Sequence, residues 1–244
     1  MAKKLSKIRE EVSQKSEQFN TYFYSNIPES VKDFVDSLKS KTKIYIFSGI
    51  IRDYFINIKQ DLFRDIDLII EDDIALELEY QNIKYQKNSF GGYKIDIESC
   101  TIDIWVIKKT WALNNGQLKF EFDFINTLPQ TTFFNFSSIL FSLNKKEFII
   151  GIDFLRFLRD KKIEIVSKKN PYPELCIVNS FYYREKLNFV FGKKLIFYII
   201  NYFDENYEKL DSIQVKHFKA IKYSKSFLSE EINKLKRSSE YNYK

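Results

Sequence analysis

The segment Arg64-Asp65-Ile66-Asp67-Leu68 opens an apolar run that continues to Ile70. Side chains of an extended strand alternate between faces, so Asp65 and Asp67 project together while Ile66 and Leu68 point the other way. A third carboxylate, Asp103, lies inside a second alternating run, Thr101-Ile-Asp-Ile-Trp-Val-Ile107. Clustered aspartates are the oxygen donors that Mg²⁺ or Mn²⁺ takes. Two such ions about 3.5 to 4 Å apart can neutralise a triphosphate, activate an attacking oxygen and stabilise a departing pyrophosphate. Asp65, Asp67 and Asp103 are therefore the expected metal ligands and catalytic carboxylates. Asp96 and Glu98 share the alternation of the preceding run, Lys94-Ile-Asp-Ile-Glu98, and stand as alternatives to Asp103.

A second group of residues lies upstream. The short β-branched and aromatic run Lys43-Ile-Tyr-Ile-Phe47 stops at Ser48-Gly49, after which Ile50 to Phe55 reads as the start of a helix. Backbone N–H groups at such a turn form an anion site, to which Ser48 can add a hydroxyl. Arg52 lies about one helical turn on, placed to pair with a phosphate or with Asp53 as a strut. Ser48, Gly49, Arg52 and Asp53 are thus the expected nucleotide-binding residues. The order carries more than any single motif: strand, Ser-Gly turn, helix with Arg-Asp, Asp-x-Asp strand, then a hairpin aspartate.

That order resembles the DNA polymerase beta-like nucleotidyltransferases, and among them the head domain of class II tRNA CCA-adding enzymes and bacterial poly(A) polymerases. Their strand, Gly-Gly-x-x-Arg-Asp turn and Asp-x-Asp correspond to Ile44-Tyr-Ile-Phe-Ser48-Gly49-Ile-Ile-Arg52-Asp53 and Arg64-Asp65-Ile-Asp67. The likeness continues through Phe90-Gly91-Gly92, Ile102-Asp103-Ile-Trp105 and Phe134-Asn135-Phe-Ser-Ser-Ile139, where Asn135 matches a family asparagine and joins the nucleotide-binding set. It covers about residues 40 to 145. Two departures stand out: Ser48 replaces the first glycine, and the family's arginine-rich neck helix becomes ELCIVNSFYYREKLNF, with Arg184, Glu185 and Lys186 as the charges near its end.

Other elements must hold these residues in place. Apolar residues at helical spacing, Leu5, Ile8, Val12, Phe19 and Tyr22, predict an N-terminal helical segment over 1–28. The nucleotidyltransferase head is expected over 29–144 as an α+β unit, a small mixed sheet flanked by helices. An all-helical, neck-like domain is expected over 145–244, the change being placed near Asn144-Lys-Lys146 by composition. Helices are predicted over Thr132–Leu143, Phe154–Lys161, Pro173–Leu187, Lys193–Tyr202 and 210–237. In the last of these, Val215, Phe218, Ile221, Leu228, Ile232 and Leu235 would form an apolar stripe flanked by Lys216, Lys219, Lys222 and Lys225.

Bulk properties limit the function classes. The 244 residues carry 39 Lys+Arg against 33 Asp+Glu, a net charge of +6 that suits a polyanionic partner. Two cysteines are too few for a disulfide framework and lack the paired spacing of a zinc site, and the sole histidine, His217, excludes a histidine metal cluster and leaves one candidate at most for His-dependent nucleophilic catalysis. The charged start MAKKLSKIREEVSQK lacks the apolar core of a signal peptide, and LIFYIINYF is shorter than the roughly 20 apolar residues of a membrane span. A cytoplasmic protein with no membrane partner is expected. The resemblance implies a metal-dependent transferase moving NMP from an NTP to an RNA 3′ end, foremost tRNA, with release of pyrophosphate. Two rivals stay open: the same chemistry on a protein hydroxyl or a second nucleotide, as in toxin, phage-defence or signalling enzymes that work with a protein partner or antitoxin, and a catalytically silent RNA-binding protein.

Overall fold

A computed structural model describes residues 3–47, 49–58, 62–80, 83–87, 92–109 and 124–241. The chain divides into two compact units, residues 1–131 with 136–159, and residues 132–135 with 160–244.

The first unit begins with α1 (Leu5–Ser13), α2 (Ser16–Ser25) and α3 (Glu29–Lys39), followed by β1 (Ile44–Phe47), α4 (Gly49–Phe55) and β2 (Asp65–Ile70). Then come α5 (Ala75–Tyr80), β3 (Gln86–Lys87), β4 (Tyr93–Ile97), β5 (Cys100–Val106) and the single turn α6 (Phe124–Thr127). The strands β6 (Ile139–Ser142) and β7 (Glu147–Ile150) and the helix α7 (Ile152–Asp160) complete it. All seven strands join one mixed sheet in the order β3-β4-β5-β2-β1-β6-β7. β2 runs parallel to β5, whereas β1 is antiparallel to both β2 and β6. The fold is therefore α+β with a larger sheet than the sequence suggests.

The N-terminal helices are part of this unit's core. Phe19 is fully buried and meets Phe141 edge-on at 4.8 Å and Tyr54 at 5.2 Å. Burying one such ring stabilises by about 2 kcal/mol. The other face of the sheet holds Tyr45, Ile69, Ile107, Phe124, Leu128 and Leu140 as a second cluster.

Residues 132–143 are not a helix. Ile139–Ser142 is β6, all four residues buried between β1 and β7. A short, unbroken apolar run has no periodicity that separates a central strand from a buried helix, which is why Ile139-Leu140-Phe141 misleads. The compositional change at Asn144–Lys146 marks the exposed turn of the β6–β7 hairpin, with Lys146 at φ 52°.

The second unit contains β8 (Lys162–Ile163), α8 (Pro173–Leu187), β9 (Val190–Phe191), α9 (Lys193–Asn206), α10 (Leu210–Phe218) and α11 (Lys225–Tyr241). Its β8 and β9 form a short parallel pair, so it is helical apart from that ribbon. Glu164 closes the start of α9: its carboxylate accepts the amides of Lys194 and Leu195 at 3.1 and 2.7 Å as well as that of Ile165 at 2.9 Å. The segment 210–237 is two helices. α10 ends at Lys219, whose φ of 62° turns the chain, and the fully buried Gln214 holds the turn. Its amide donates to the carbonyls of Leu210 and Tyr223 and accepts the amides of Lys222 and Tyr223. The expected stripe breaks accordingly: Leu228 and Ile232 are buried, while Val215 and Ile221 are about half exposed, at 50% and 53%. Among the described residues, no helix is long and apolar enough to cross a membrane.

Candidate active site

The site grows out of one strand pair. Asp67 on β2 is in register with Asp103 on β5, and Asp65 with Thr101. Paired residues on adjacent strands share a face and lie about 4.8 Å apart, so Asp65, Asp67 and Asp103 form a triangle of carboxylates. Alternation buries Ile66, Leu68, Ile102 and Ile104 on the opposite face and so locks the register. On the carboxylate face the strands continue into Ile69 and Trp105, and the Trp105 ring packs 5.5 Å from Phe47 of β1. The polar cluster thus begins where the apolar cluster ends.

Its electrostatics are unusual. Asp67 is half-buried and its carboxyl is pushed up to about 7, first by burial and then by repulsion from Asp103 and Asp65. Lys94 and Arg52 pull in the opposite direction without cancelling it. Lys94 sits opposite Asp103 across β4 and β5, and its ammonium lies 3.7 Å from the Asp103 carboxylate. Among the described residues, no three or more His, Cys, Asp or Glu side chains are arranged so that they could hold a metal ion as they stand. The donor set nonetheless suits a divalent cation: three hard oxygen ligands on one face, with mutual repulsion that such an ion would relieve.

Arg52 and Asp53 face inward from α4. Both are buried, and the guanidinium contacts the Asp53 carboxylate at 2.6 Å through both Nε and a terminal nitrogen. Its plane lies 5.3 Å from the Phe136 ring. This is the pairing expected of a strut, and the positive field of Arg52 also reaches Asp67. A Cβ added to Gly49 would meet nothing within 4 Å among the described residues, so these leave open space beside the start of α4. Ser48, Phe90 and Gly91 lie outside the described residues.

The remaining expected residues have partners of their own. Asn135 belongs to the second unit, where its side-chain amide donates to the Lys162 carbonyl at 2.9 Å and accepts the Glu164 amide at 3.0 Å. It clamps the chain next to β8, a role that both ends of its amide already serve. Asp96 accepts the Thr101 hydroxyl and Glu98 that of Ser30, so neither joins the cluster as Asp103 does. Of the neck helix charges, Arg184 pairs with Glu231 at 2.8 Å and Glu185 accepts the Tyr223 hydroxyl at 2.7 Å. Lys94 was not singled out from the sequence. Its place in the alternation of β4, opposite the β5 aspartate of the same hairpin, would have found it.

No protein-family model matches the chain, and no curated protein matches it. Solved structures do. A CCA-adding enzyme with CTP superposes over 90% of this chain and 54% of its own, with a TM-score of 0.62 and 17% identity. The Thermotoga maritima CCA-adding enzyme complexed with tRNA covers 88% of this chain and 53% of its own, at a TM-score of 0.62 and 15% identity. A tRNA-processing enzyme with CTP covers 82% and 55%, at 0.55 and 16%. The chain spans about half the length of these structures and shares the fold of the matching part of the CCA-adding enzymes.

Proposed function

We propose that the chain is a metal-dependent nucleotidyltransferase that moves NMP from an NTP to an RNA 3′ end, with tRNA as the foremost acceptor. The observation that carries this reading is the carboxylate triangle: Asp67 in register with Asp103, Asp65 on the same face, and Asp67 driven up by burial and by its neighbours. Mg²⁺ or Mn²⁺ bound there would supply the positive charge that a triphosphate and a departing pyrophosphate require. Asp65 and Asp67 are assigned to hold that charge and Asp103 to complete the set from the neighbouring strand.

In the reaction, the acceptor hydroxyl oxygen attacks the α-phosphorus, the bond to pyrophosphate breaks, and the hydroxyl proton leaves toward the carboxylates. Gly49 and Ser48 are assigned to the phosphate side, where the open space beside Gly49 lets a ligand approach the backbone. Arg52, paired with Asp53 within α4, is assigned with it to the nucleotide side. The RNA acceptor is supported by the basic balance of the chain and by fold neighbours that include a CCA-adding enzyme in complex with tRNA.

The test is incubation with Mg²⁺ or Mn²⁺, each labelled NTP in turn, and total cellular RNA and protein, beside an Asp67→Asn control. Label entering RNA in an Asp67-dependent way supports the reading. Label in protein or in a small molecule keeps the chemistry and replaces the acceptor, and no Asp67-dependent transfer overturns it.

A further inference from the structure

The turn between α10 and α11 carries charge that its surroundings do not match. Lys216, Lys219 and Lys222 are exposed and, among the described residues, meet no carboxylate within ion-pair distance. Lys225, the next in the series, is different: its ammonium meets Glu208 at 3.0 Å and Asp211 at 4.0 Å. What lies beside the unmatched lysines is aromatic. Lys216 sits over the Tyr172 ring at 5.5 Å, and Lys222 over Tyr182 and Phe218 at 5.9 and 5.7 Å. The rings form a row of their own, Tyr183, Tyr182, Phe218 and His217, with successive centroids 5.2, 5.4 and 4.6 Å apart.

The surface is also rigid where it turns. Gln214 ties the backbone on both sides, so the lysines and rings are displayed from a preorganised loop. Lysines alone would suit any polyanion. Partly exposed rings interleaved with them suit one whose units each carry a flat apolar group, since phosphates pair with the ammoniums while bases stack on the rings. An exposed ammonium gains only about 0.5 to 1 kcal/mol from a ring face, so it is free to turn to a phosphate. We propose that this surface of the second unit, Tyr172, Tyr182, Phe218 and the three lysines, binds single-stranded RNA. The proposal rests on RNA being the acceptor, and it adds where the strand is held.

Fluorescence anisotropy with a short labelled single-stranded oligoribonucleotide, without nucleotide or metal, tests it on the full chain. The double variant Lys216→Glu/Lys222→Glu should bind at least about tenfold more weakly, and its salt dependence should be shallower by roughly the two lost phosphate contacts. Tyr182→Leu, which keeps bulk but removes the ring, should weaken binding at least about fivefold. Lys225→Gln, whose ammonium is already paired, should stay within about twofold. Unchanged RNA affinity in a double variant whose circular dichroism and melting midpoint match the parent overturns the proposal. So does a loss on charge reversal that Tyr182→Leu does not share, which marks a generic polyanion site, or charge-dependent binding to phosphatidylserine vesicles with none to RNA. RNA affinity is read without nucleotide or metal and transfer is read by the labelled-NTP assay, so a failure of transfer chemistry and a failure of this surface read out separately.

Discussion

Asp67 and Glu164 are the same functional group in opposite circumstances. Glu164, in the second unit, accepts three backbone amides and sits at the positive end of α9. Asp67, in the first unit, faces two further carboxylates and is pushed up to about 7, first by burial and then by their repulsion. Gln214 belongs with Glu164, since four partners satisfy its buried amide. Where polar groups are matched within the chain they define its shape. Where they are left in conflict, a ligand has to resolve the conflict, and this separates structural from reactive polar residues.

The sharpest way to break that comparison is Asp67→Asn. Nucleotidyl transfer should fall by about three orders of magnitude or more in a steady-state assay with saturating Mg²⁺, because the several kcal/mol supplied through a metal ligand are lost. Stability should move the other way. A native aspartate with a raised pKa keeps a proton that the unfolded chain has released, so the metal-free parent loses stability as the pH rises from about 4 to 7. The variant should lack that decline and be at least as stable at pH 7. Denaturant titrations across this range that show parallel curves for the two proteins would remove the conflict from Asp67.

Gln214→Leu attacks the matched side. It keeps the volume but leaves the amides of Lys222 and Tyr223 and the Tyr223 carbonyl without partners, which should cost about 3 kcal/mol. Hydrogen exchange should show lost protection first at those two amides. Glu164→Gln is milder, about 2 kcal/mol, because one oxygen remains to accept and the charge at the helix start is lost. Its signature is faster exchange at Lys194 and Leu195, with the protection of β2 and β5 unchanged.

Much of the first region was legible in advance. Asp65 and Asp67 share a face because strands alternate, and Asp103 falls beside them because the hairpin that carries it brings β5 against β2. The second region was less legible, and for a physical reason. The break at Lys219 depends on Gln214 reaching Lys222 and Tyr223, a tertiary arrangement that an apolar periodicity with no Gly or Pro does not announce. Asn135 illustrates the same limit: the hydrogen bonds of its amide to the backbone near β8 join residues 27 and 29 positions apart, which no local pattern announces. Strand β6 was missed because both of its faces are buried, which erases the period that reveals half-buried strands.

The smallest expected effect is the most discriminating, and it concerns Lys94. This lysine offers Asp103 a cation at 3.7 Å, so it competes with any metal ion for that carboxylate. Lys94→Met should therefore tighten Mn²⁺ binding, measured calorimetrically without nucleotide. The gain should be no more than about fivefold, because the pair is solvent-exposed and such pairs contribute at most about 1 kcal/mol. The direction matters more than the size. If Lys94 served only to keep β4 against β5, its removal would loosen the hairpin and weaken Mn²⁺ binding along with the exchange protection of both strands. Tighter binding with unchanged protection would mean that the triangle is tuned by a charge from outside it, and that its repulsion is held at a level one added cation can relieve.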